Sequence, residues 1–213
     1  MGDHSSERRP GLRAVPDPRP DWFGDDVALV AALDEGAEGA GDELFKRHGP
    51  YVQRVLLRIL GPDDELADVM HEVFVDALRT LHRLKDPARL RAWLAQIAVF
   101  KARGLIRRRK RRSWLRFGAE LPEAPTPAPD AETLSTARAV LQVLEQMPAD
   151  LRIPFALRYI DHMELRAVAD CCQVSLATIK RRLQRAEQRF LVLSRKRPEL
   201  RAALAESAKW GER

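Results

Sequence analysis

The chain has 213 residues, of which 45% are hydrophobic and 32% are charged. This length allows one or two domains, and the composition excludes collagen-like, purely coiled-coil and fully disordered chains. The net charge is +6, but the charges are unevenly placed. Residues 21–45 hold eight acids and no Lys or Arg, whereas residues 88–119 hold eleven Lys and Arg and no acid. This separation predicts one surface for an anion and another for a basic partner.

The N-terminal segment 1–24 is predicted to be a disordered tail, because it is rich in proline and alternating charge. It lacks the apolar core of a signal peptide, and the longest apolar run, Val27–Leu33, is too short to cross a bilayer. Cys171 and Cys172 are adjacent, so no unstrained disulfide is expected between them and at least one should be buried. The sequence therefore predicts a cytoplasmic protein with no membrane span.

Residues 25–115 are predicted to form a helical bundle. Apolar residues recur at helical spacing over 44–60, 66–84 and 90–105. Gly61-Pro62 ends the first of these segments and Asp63 can cap the next, while Asp86-Pro87 forms a second break. No stretch alternates with period two for long enough to predict a strand. A small bundle of helices is the simplest way to bury these apolar stripes.

Four prolines within 116–132 predict an extended linker, which separates residues 25–115 from a second helical unit over 133–195. Residues 196–213 then form a C-terminal extension. The second unit should begin with a helix near 134–146. The next helix, entered from Pro148, must start late or bend at Pro154, because proline has no amide hydrogen.

Two short helices, near 164–172 and 176–190, are predicted to end this unit. Ser175 is a good N-cap for the second of them. Two short helices joined by a tight turn, the second strongly basic, are typical of the helix-turn-helix that binds DNA.

The last helix has an apolar side for the core and a polar side that suits the major groove of DNA. The apolar side consists of Leu176, Ile179, Leu183, Ala186 and Phe190. Candidate base contacts on the opposite side are Thr178, Arg181, Gln184 and Arg185, because Arg pairs with guanine and Gln with adenine. Candidate phosphate contacts are Lys180, Arg182 and Arg189. The alternative is an ordinary solvated basic face.

The segment Lys101–Arg116 contains nine Lys and Arg, six of them consecutive at 107–112. Charge at this density is costly unless anions neutralise it, and a phosphate backbone does so. A solvated tail is the alternative. Trp93 lies on the apolar stripe and is expected in the core, whereas Trp114 could stack on a base.

An acidic helix over 65–82 carries polar residues opposite its apolar stripe. These are Asp68, His71, Glu72, Val75, Arg79 and His82, with the exposed valine suggesting a protein partner that has a basic surface. Asp68 and His71 have the spacing of one half of a metal site in a helical bundle, but a second half is missing. We therefore predict no metal, no cofactor and no catalytic residue.

Five segments in order resemble bacterial RNA polymerase sigma factors of the extracytoplasmic-function group. The segments span about 42–193 and read LFKRHGPYVQRVLLRILG, DDELADVMHEVFVDAL, LRAWLAQIA, LIRRRKRR and LRYIDHMELRAVADCCQVSLATIKRRLQRAEQRF. The resemblance implies an all-α chain of two domains joined by the proline-rich linker, the second a helix-turn-helix. It implies a monomeric, non-enzymatic initiation factor with core RNA polymerase, promoter DNA and an anti-sigma protein as partners.

The resemblance also implies roles for individual residues. Those implied to bind polymerase are Asp68, His71, Glu72, Phe74 and Val75, with His71 standing where the family usually has Gln. A loop at about 84–90 would capture a flipped minus-10 base, and the residues implied to bind that element are Arg89, Arg91, Lys101, Arg103, Arg107 and Arg108. Those implied to bind the minus-35 duplex are Ser175, Thr178, Lys180, Arg181, Arg182, Gln184 and Arg185.

Some positions depart from the family pattern. Phe100 and Gly104 stand where the basic helix usually has Asn and Asp, and Gln173 stands where the helix-turn-helix usually has Gly. Two other functions stay open at this point, namely a dimeric helix-turn-helix regulator and a metal-dependent nucleic-acid enzyme that uses the acidic helix. A further hypothesis is that the acidic stretch 21–45 covers the basic stretch 101–116.

Overall fold

A computed structural model of the protein describes residues 24–115, 131–198 and 200, and within these ranges the chain is helical with no strand. The all-α prediction is confirmed. The predicted linker 116–132 and both predicted terminal tails lie almost wholly outside the described residues. The described part of the chain contains the α-helices α1 Asp26–Asp34, α2 Ala40–Leu60, α3 Leu66–Arg79, α4 Leu90–Leu115, α5 Ala131–Glu145, α6 Ala149–Phe155, α7 Leu165–Cys172 and α8 Leu176–Ser194.

Both breaks that the sequence predicts are present, because Gly61-Pro62 lies between α2 and α3 and Asp86-Pro87 lies between α3 and α4, whereas α1 was not predicted. Asp25 caps α1 by accepting hydrogen bonds from the amides of Val27 and Ala28. Gly61 ends α2 with a φ of 79°, a left-handed conformation that favours glycine. A Cβ at Gly61 would also lie 3.2 Å from a methyl carbon of Leu141 in α5. The helix predicted over 66–84 is shorter than expected, because α3 ends at Arg79 and 3₁₀ turns follow at Leu81–Arg83 and Pro87–Arg89.

The sequence predicted that the helix entered from Pro148 would start late or bend at Pro154, and the late start is wrong. Helix α6 starts directly after Pro148 and contains Pro154. The hydrogen-bond pattern then widens into a π-helical turn at Ala156–Ile160, where the amide of Asp161 reaches the carbonyl of Ala156. Pro154 has no amide hydrogen, so the helical hydrogen bond from residue 154 to the carbonyl four residues earlier is absent just before this turn.

One hydrophobic core runs through both predicted units. It unites residues of α1 to α4, such as Leu29, Val55 and Leu94, with residues of α6 to α8, such as Val168 and Ile179. A second, smaller cluster joins α5, α6 and α8 around Leu144 and Phe190. The two units therefore pack against each other in this structure, chiefly through α4 against α6 and α7.

Acidic residues near the N-terminus pair locally. Asp26 accepts hydrogen bonds from Arg47 at 3.0 Å and lies 3.0 Å from the ring of His48. Arg109 of the basic stretch pairs instead with Asp63 and Glu65, at the entrance to α3. Among the described residues, Arg109 is thus paired with acids of 63–65, and the hypothesis that 21–45 covers 101–116 stays untested for the other cations of the stretch.

Candidate nucleic-acid and polymerase interfaces

Helix α8 begins where the sequence predicts, at a serine cap. The Ser175 hydroxyl oxygen accepts a hydrogen bond from the amide of Thr178 at 3.2 Å, and the two side-chain oxygens lie 2.9 Å apart. Gln173 in the preceding turn has a φ of 54° and a ψ of 47°, the left-handed conformation that glycine adopts without cost. Gln173 thus adopts, at the position where the family usually has Gly, a conformation that is strained for a residue with a Cβ.

The outer side of α8 is open to solvent along its length. Ile179, Leu183, Ala186 and Phe190 are buried, and Leu176 is half-buried. The predicted minus-35 contacts occupy the opposite side and its edges, where Ser175, Lys180, Arg181, Gln184 and Arg185 are exposed and Thr178 and Arg182 are half-buried. We call these seven residues the reading face. A convex basic helix with its N-terminal turns exposed has the shape that a DNA major groove accepts.

The basic helix α4 forms ion pairs with carboxylates of the same chain, through Lys101 in its middle and through Arg109 near its end. Lys101 Nζ lies 2.6 Å from Asp76 and 3.4 Å from Glu72 of α3. Burial opposes the charge on Lys101, but the two carboxylates outweigh it and raise its pKa. Lys101 therefore links α4 to α3 through an ion pair, whereas Arg107 and Arg108 are exposed.

Three further predicted minus-10 residues contact other residues of the same chain. The guanidinium of Arg91 lies 4.1 Å from the ring centre of Tyr51 in α2. Arg89 pairs with Asp170 of α7 at 3.2 Å, and Arg103 donates a hydrogen bond to the carbonyl oxygen of Cys172 at 3.5 Å. The structure thus spreads the predicted minus-10 residues around α4 and the turn before it, since Arg91 contacts α2, Lys101 contacts α3 and Arg103 contacts α7.

Phe100 belongs to the basic helix but was not selected as a binding residue from the sequence. Its side chain is 65% exposed, and it lies one turn from Arg103 and two turns from Arg107. An exposed aromatic ring between cations is suited to stack on an unpaired base. The sequence does mark this position, because Phe100 stands where the family usually has Asn. Trp93 is half-buried against the core as predicted, and the side chain of Trp114 lies outside the described part of the chain.

The acidic face on α3 is only partly as predicted. Asp68 and His71 are exposed, and Glu72 and Val75 are half-buried. Phe74, however, is only 6% exposed and packs edge-to-face on Phe45 with ring centres 5.0 Å apart. Phe74 therefore supports the acidic face from below and is not itself presented to a partner in this structure.

Both cysteines are free thiols buried beside α4, in line with the expectation of packed side chains. Burial raises the pKa of Cys171 to about 12 and also raises that of Cys172. Within the described ranges, no group of three His, Cys, Asp or Glu side chains is placed to hold a metal ion. The same ranges contain no helix that is long and apolar enough to cross a membrane.

Two family models match the chain on either side of the predicted linker. Residues 44–112 match sigma-70 region 2, and residues 137–190 match sigma-70 region 4. The chain is 24% identical over 174 residues to the ECF RNA polymerase sigma-E factor of Haemophilus influenzae, covering 76% of this chain and 92% of that protein. It is 26% identical over 182 residues to the RNA polymerase sigma-H factor of Pseudomonas aeruginosa, covering 76% and 90%.

Two solved structures share the fold of this chain. CnrH, in complex with the cytosolic domain of CnrY, matches with a TM-score of 0.57 and 26% identity, over 81% of this chain and 98% of CnrH. The sigma factor RpoE of Bartonella quintana, in complex with the anti-sigma factor NepR, has the same fold with a TM-score of 0.55 and 19% identity, over 74% and 98%.

Proposed function

This chain belongs to the extracytoplasmic-function group of sigma-70-like factors, which act in transcription initiation, and we propose how its surfaces divide that work. The reading face of α8 binds the minus-35 element as duplex DNA. The exposed part of α4 around Phe100, Arg107 and Arg108, with the turn at Pro87–Arg89, holds the separated minus-10 strand. The acidic face of α3 binds core RNA polymerase.

The observation that carries this proposal is the open reading face. Its seven residues lie on a helix whose opposite side is buried, so that the helix can enter a groove without disturbing its own core. Arg181 and Gln184 are long enough to reach base edges, whereas Lys180 at the flank suits a phosphate. The dimeric-regulator alternative uses the same helix, but it does not explain the match to region 2 over 44–112.

The minus-10 role depends on charge and on one exposed ring. Arg107 and Arg108 are exposed on α4 and can neutralise a single-stranded backbone. Phe100 can supply stacking, which contributes about 1–3 kcal/mol per base and tolerates any sequence. Binding that favours separated over paired strands shifts the equilibrium towards melted DNA.

The direct test is transcription by purified core polymerase, with and without this protein, on pooled fragments of the host genome. We expect discrete transcripts only when the protein is present, and their start sites would give the promoter elements. Retained binding to duplex DNA with no transcripts and no binding to core polymerase would contradict the proposal and favour the dimeric regulator.

The polymerase surface is tested by Asp68→Ala, with Asp64→Ala as a matched control. Both carboxylates are exposed, but Asp64 precedes α3 whereas Asp68 lies on its acidic face. We expect Asp68→Ala to weaken binding to core polymerase about tenfold, as is common for a charge pair at an interface, and to leave duplex binding unchanged. Equal effects of the two substitutions would remove the acidic face from the proposal.

We also propose that an anti-sigma protein regulates the chain, because the Bartonella quintana neighbour is bound to one. The test is to purify a candidate encoded by the host and add it to the transcription assay. Stoichiometric loss of the transcripts would support the proposal, whereas binding without inhibition would contradict it.

A further inference from the structure

Gly104 lies in the middle of the basic helix α4, where neither the backbone nor the packing requires a glycine. Its backbone is that of an ordinary helical residue, unlike Gly61, whose φ is positive. A Cβ added at Gly104 would have open space around it, with no side chain of a non-adjacent residue within 4 Å. A glycine inside a helix is destabilising relative to alanine, because it loses more backbone freedom on folding. The consequence of this glycine is therefore a bare stretch of helix surface.

The bare surface lies directly beside the exposed ring of Phe100. Residues four apart on a helix are neighbours on one face, so Phe100, Gly104 and Arg108 form a single row. Helical side chains lean towards the N-terminus, so a side chain at 104 would lie over position 100 and cover one face of the ring. With glycine at 104 that face is open, and 65% of the Phe100 side chain is exposed.

The row leaves room for one base. Phe100 and Arg108 are eight residues apart, which corresponds to about 12 Å along the helix axis. Stacked planes are about 3.4 Å apart, so one base between a ring and a guanidinium group needs about 7 Å. The long Arg108 side chain leans over Gly104 and can take up the remaining distance. We call Phe100, Gly104 and Arg108 the stacking slot.

The stacking slot offers a base a flat apolar surface and a positive charge. Neither the phenyl ring nor the glycine has a side-chain group that hydrogen-bonds to a base edge. Arg108 is exposed and can lie over the base or reach a phosphate, whereas the neighbouring Lys101 is held by Asp76 of α3. Preferences at such a site come from stacking strength, and the two rings of a purine overlap more of a phenyl ring than the single ring of a pyrimidine.

We propose, on the basis of the strand-binding role proposed above, that the stacking slot selects an unpaired purine in the separated minus-10 strand. Phe100 makes the contact, and Gly104 is a specificity-determining position because it keeps the ring open. The preference for adenine over thymine is about fivefold, at the lower end of what stacking of one base contributes.

The test uses the full chain and two short fluorescein-labelled strands, namely oligo(dT) and the same strand with one central adenine. Fluorescence anisotropy gives the Kd of each. The wild type should bind the adenine-containing strand about fivefold more tightly. Gly104→Leu should bind both strands alike, because leucine covers the ring. Phe100→Leu should also bind both alike, because it keeps an apolar side chain but removes the aromatic plane.

The matched control is Gly41→Leu. Gly41 also lies within a helix, α2, and a Cβ there would likewise have no side chain of a non-adjacent residue within 4 Å. Leucine favours a helix more than glycine does, so neither glycine substitution should lower the urea midpoint of unfolding. Gly41→Leu should keep the fivefold preference. A general structural defect would lower the midpoint together with binding, whereas filling the slot removes the preference from a protein that is at least as stable.

Three results would overturn the proposal. The first is equal binding of the two strands by the wild type, or a preference that survives Gly104→Leu. The second is a lower urea midpoint for Gly104→Leu, which would show that the space over residue 104 is not open. The third is a Phe100→Leu variant that keeps the strand preference but loses binding to core polymerase, which would assign the ring to a protein contact.

Failure of this inference can be told apart from failure of the function on which it rests. The strand measurement needs neither promoter nor polymerase. Promoter-specific transcripts together with equal binding of the two strands would overturn the purine preference alone. No measurable binding of either strand by the wild type, with or without core polymerase, would overturn the strand-binding role and the preference together.

Discussion

The ion pair between Asp63 and Arg109 fixes the basic helix α4 against the entrance to α3, and its removal should measurably destabilise the protein. The Asp63 side chain is 10% exposed and accepts two hydrogen bonds from the guanidinium of Arg109. It also accepts the backbone amide of Glu65 at 2.8 Å, while Glu65 itself lies 3.1 Å from Arg109. The sequence predicted Asp63 as a cap for the next helix, and the structure adds the partner 46 residues away.

The perturbation is Asp63→Asn, which keeps the shape and can still accept the amide of Glu65. It removes the negative charge and one acceptor oxygen from the pair with Arg109. Charge-assisted hydrogen bonds contribute about 1.5–3 kcal/mol and neutral ones about 1 kcal/mol. Because the Arg109 side chain is 36% exposed and partly screened, we expect a loss of about 2 kcal/mol in the free energy of unfolding. With a urea dependence near 2 kcal/mol per molar, the unfolding midpoint should fall by about 1 M.

The pKa of Asp63 determines the pH range in which its ion pair with Arg109 stabilises the protein. Burial alone would raise the pKa of Asp63, but the hydrogen bonds from Arg109 and the amide of Glu65 outweigh it and lower that pKa. A carboxyl group whose pKa is lowered on folding adds stability above its unfolded value, near 3.9, and loses it as the pH falls through the folded value. The difference between wild type and Asp63→Asn should therefore be full at neutral pH and shrink below about pH 4.

The assay is urea unfolding followed by circular dichroism at neutral and acid pH, with Asp64→Asn as the control. Asp64 is the adjacent acid and is exposed, so its substitution should change the midpoint by little. Equal midpoints for the two variants, or a difference that persists unchanged at acid pH, would refute the electrostatic reasoning.

Three further predictions concern the DNA surfaces and the turn before α8. Arg181→Ala should cost about 1–3 kcal/mol of binding free energy on the preferred duplex and relax the base preference at one position, whereas Lys180→Ala should weaken binding to all duplexes alike. Selection from a randomised duplex pool measures both effects. Phe100→Ala should weaken oligo(dT) binding by about 1–3 kcal/mol but leave duplex binding unchanged in fluorescence anisotropy, and equal losses on both probes would refute stacking. Gln173→Gly should raise the unfolding midpoint slightly, because relief of the left-handed strain, about 1 kcal/mol, exceeds the added chain entropy of glycine; a lower midpoint would contradict this.

Local sequence features predicted all the described α-helices except α1, and they predicted the buried and exposed sides of α8. The apolar stripe of α8, its serine cap and the glycine at the end of α2 act over one or two turns, so their consequences can be read from neighbouring residues. The resemblance to a known family added the order of the regions, which the matches over 44–112 and 137–190 confirm. The residue-level DNA and polymerase contacts remain predictions.

Contacts between distant residues were decided only by the tertiary structure. The helical pattern places Phe74 beside the apolar stripe, and only the approach of Phe45 from α2 buries it. Likewise, the sequence does not show which partner each arginine has. The structure pairs Arg109 with Asp63, Arg103 with the carbonyl of Cys172 in α7, and Arg152 with the last turn of α2. The spacing of residues along the chain determines which face of a helix a side chain occupies. Which other helix packs against that face depends on the tertiary structure, because it involves residues far away in the sequence. Here that packing unites the two predicted units in one hydrophobic core.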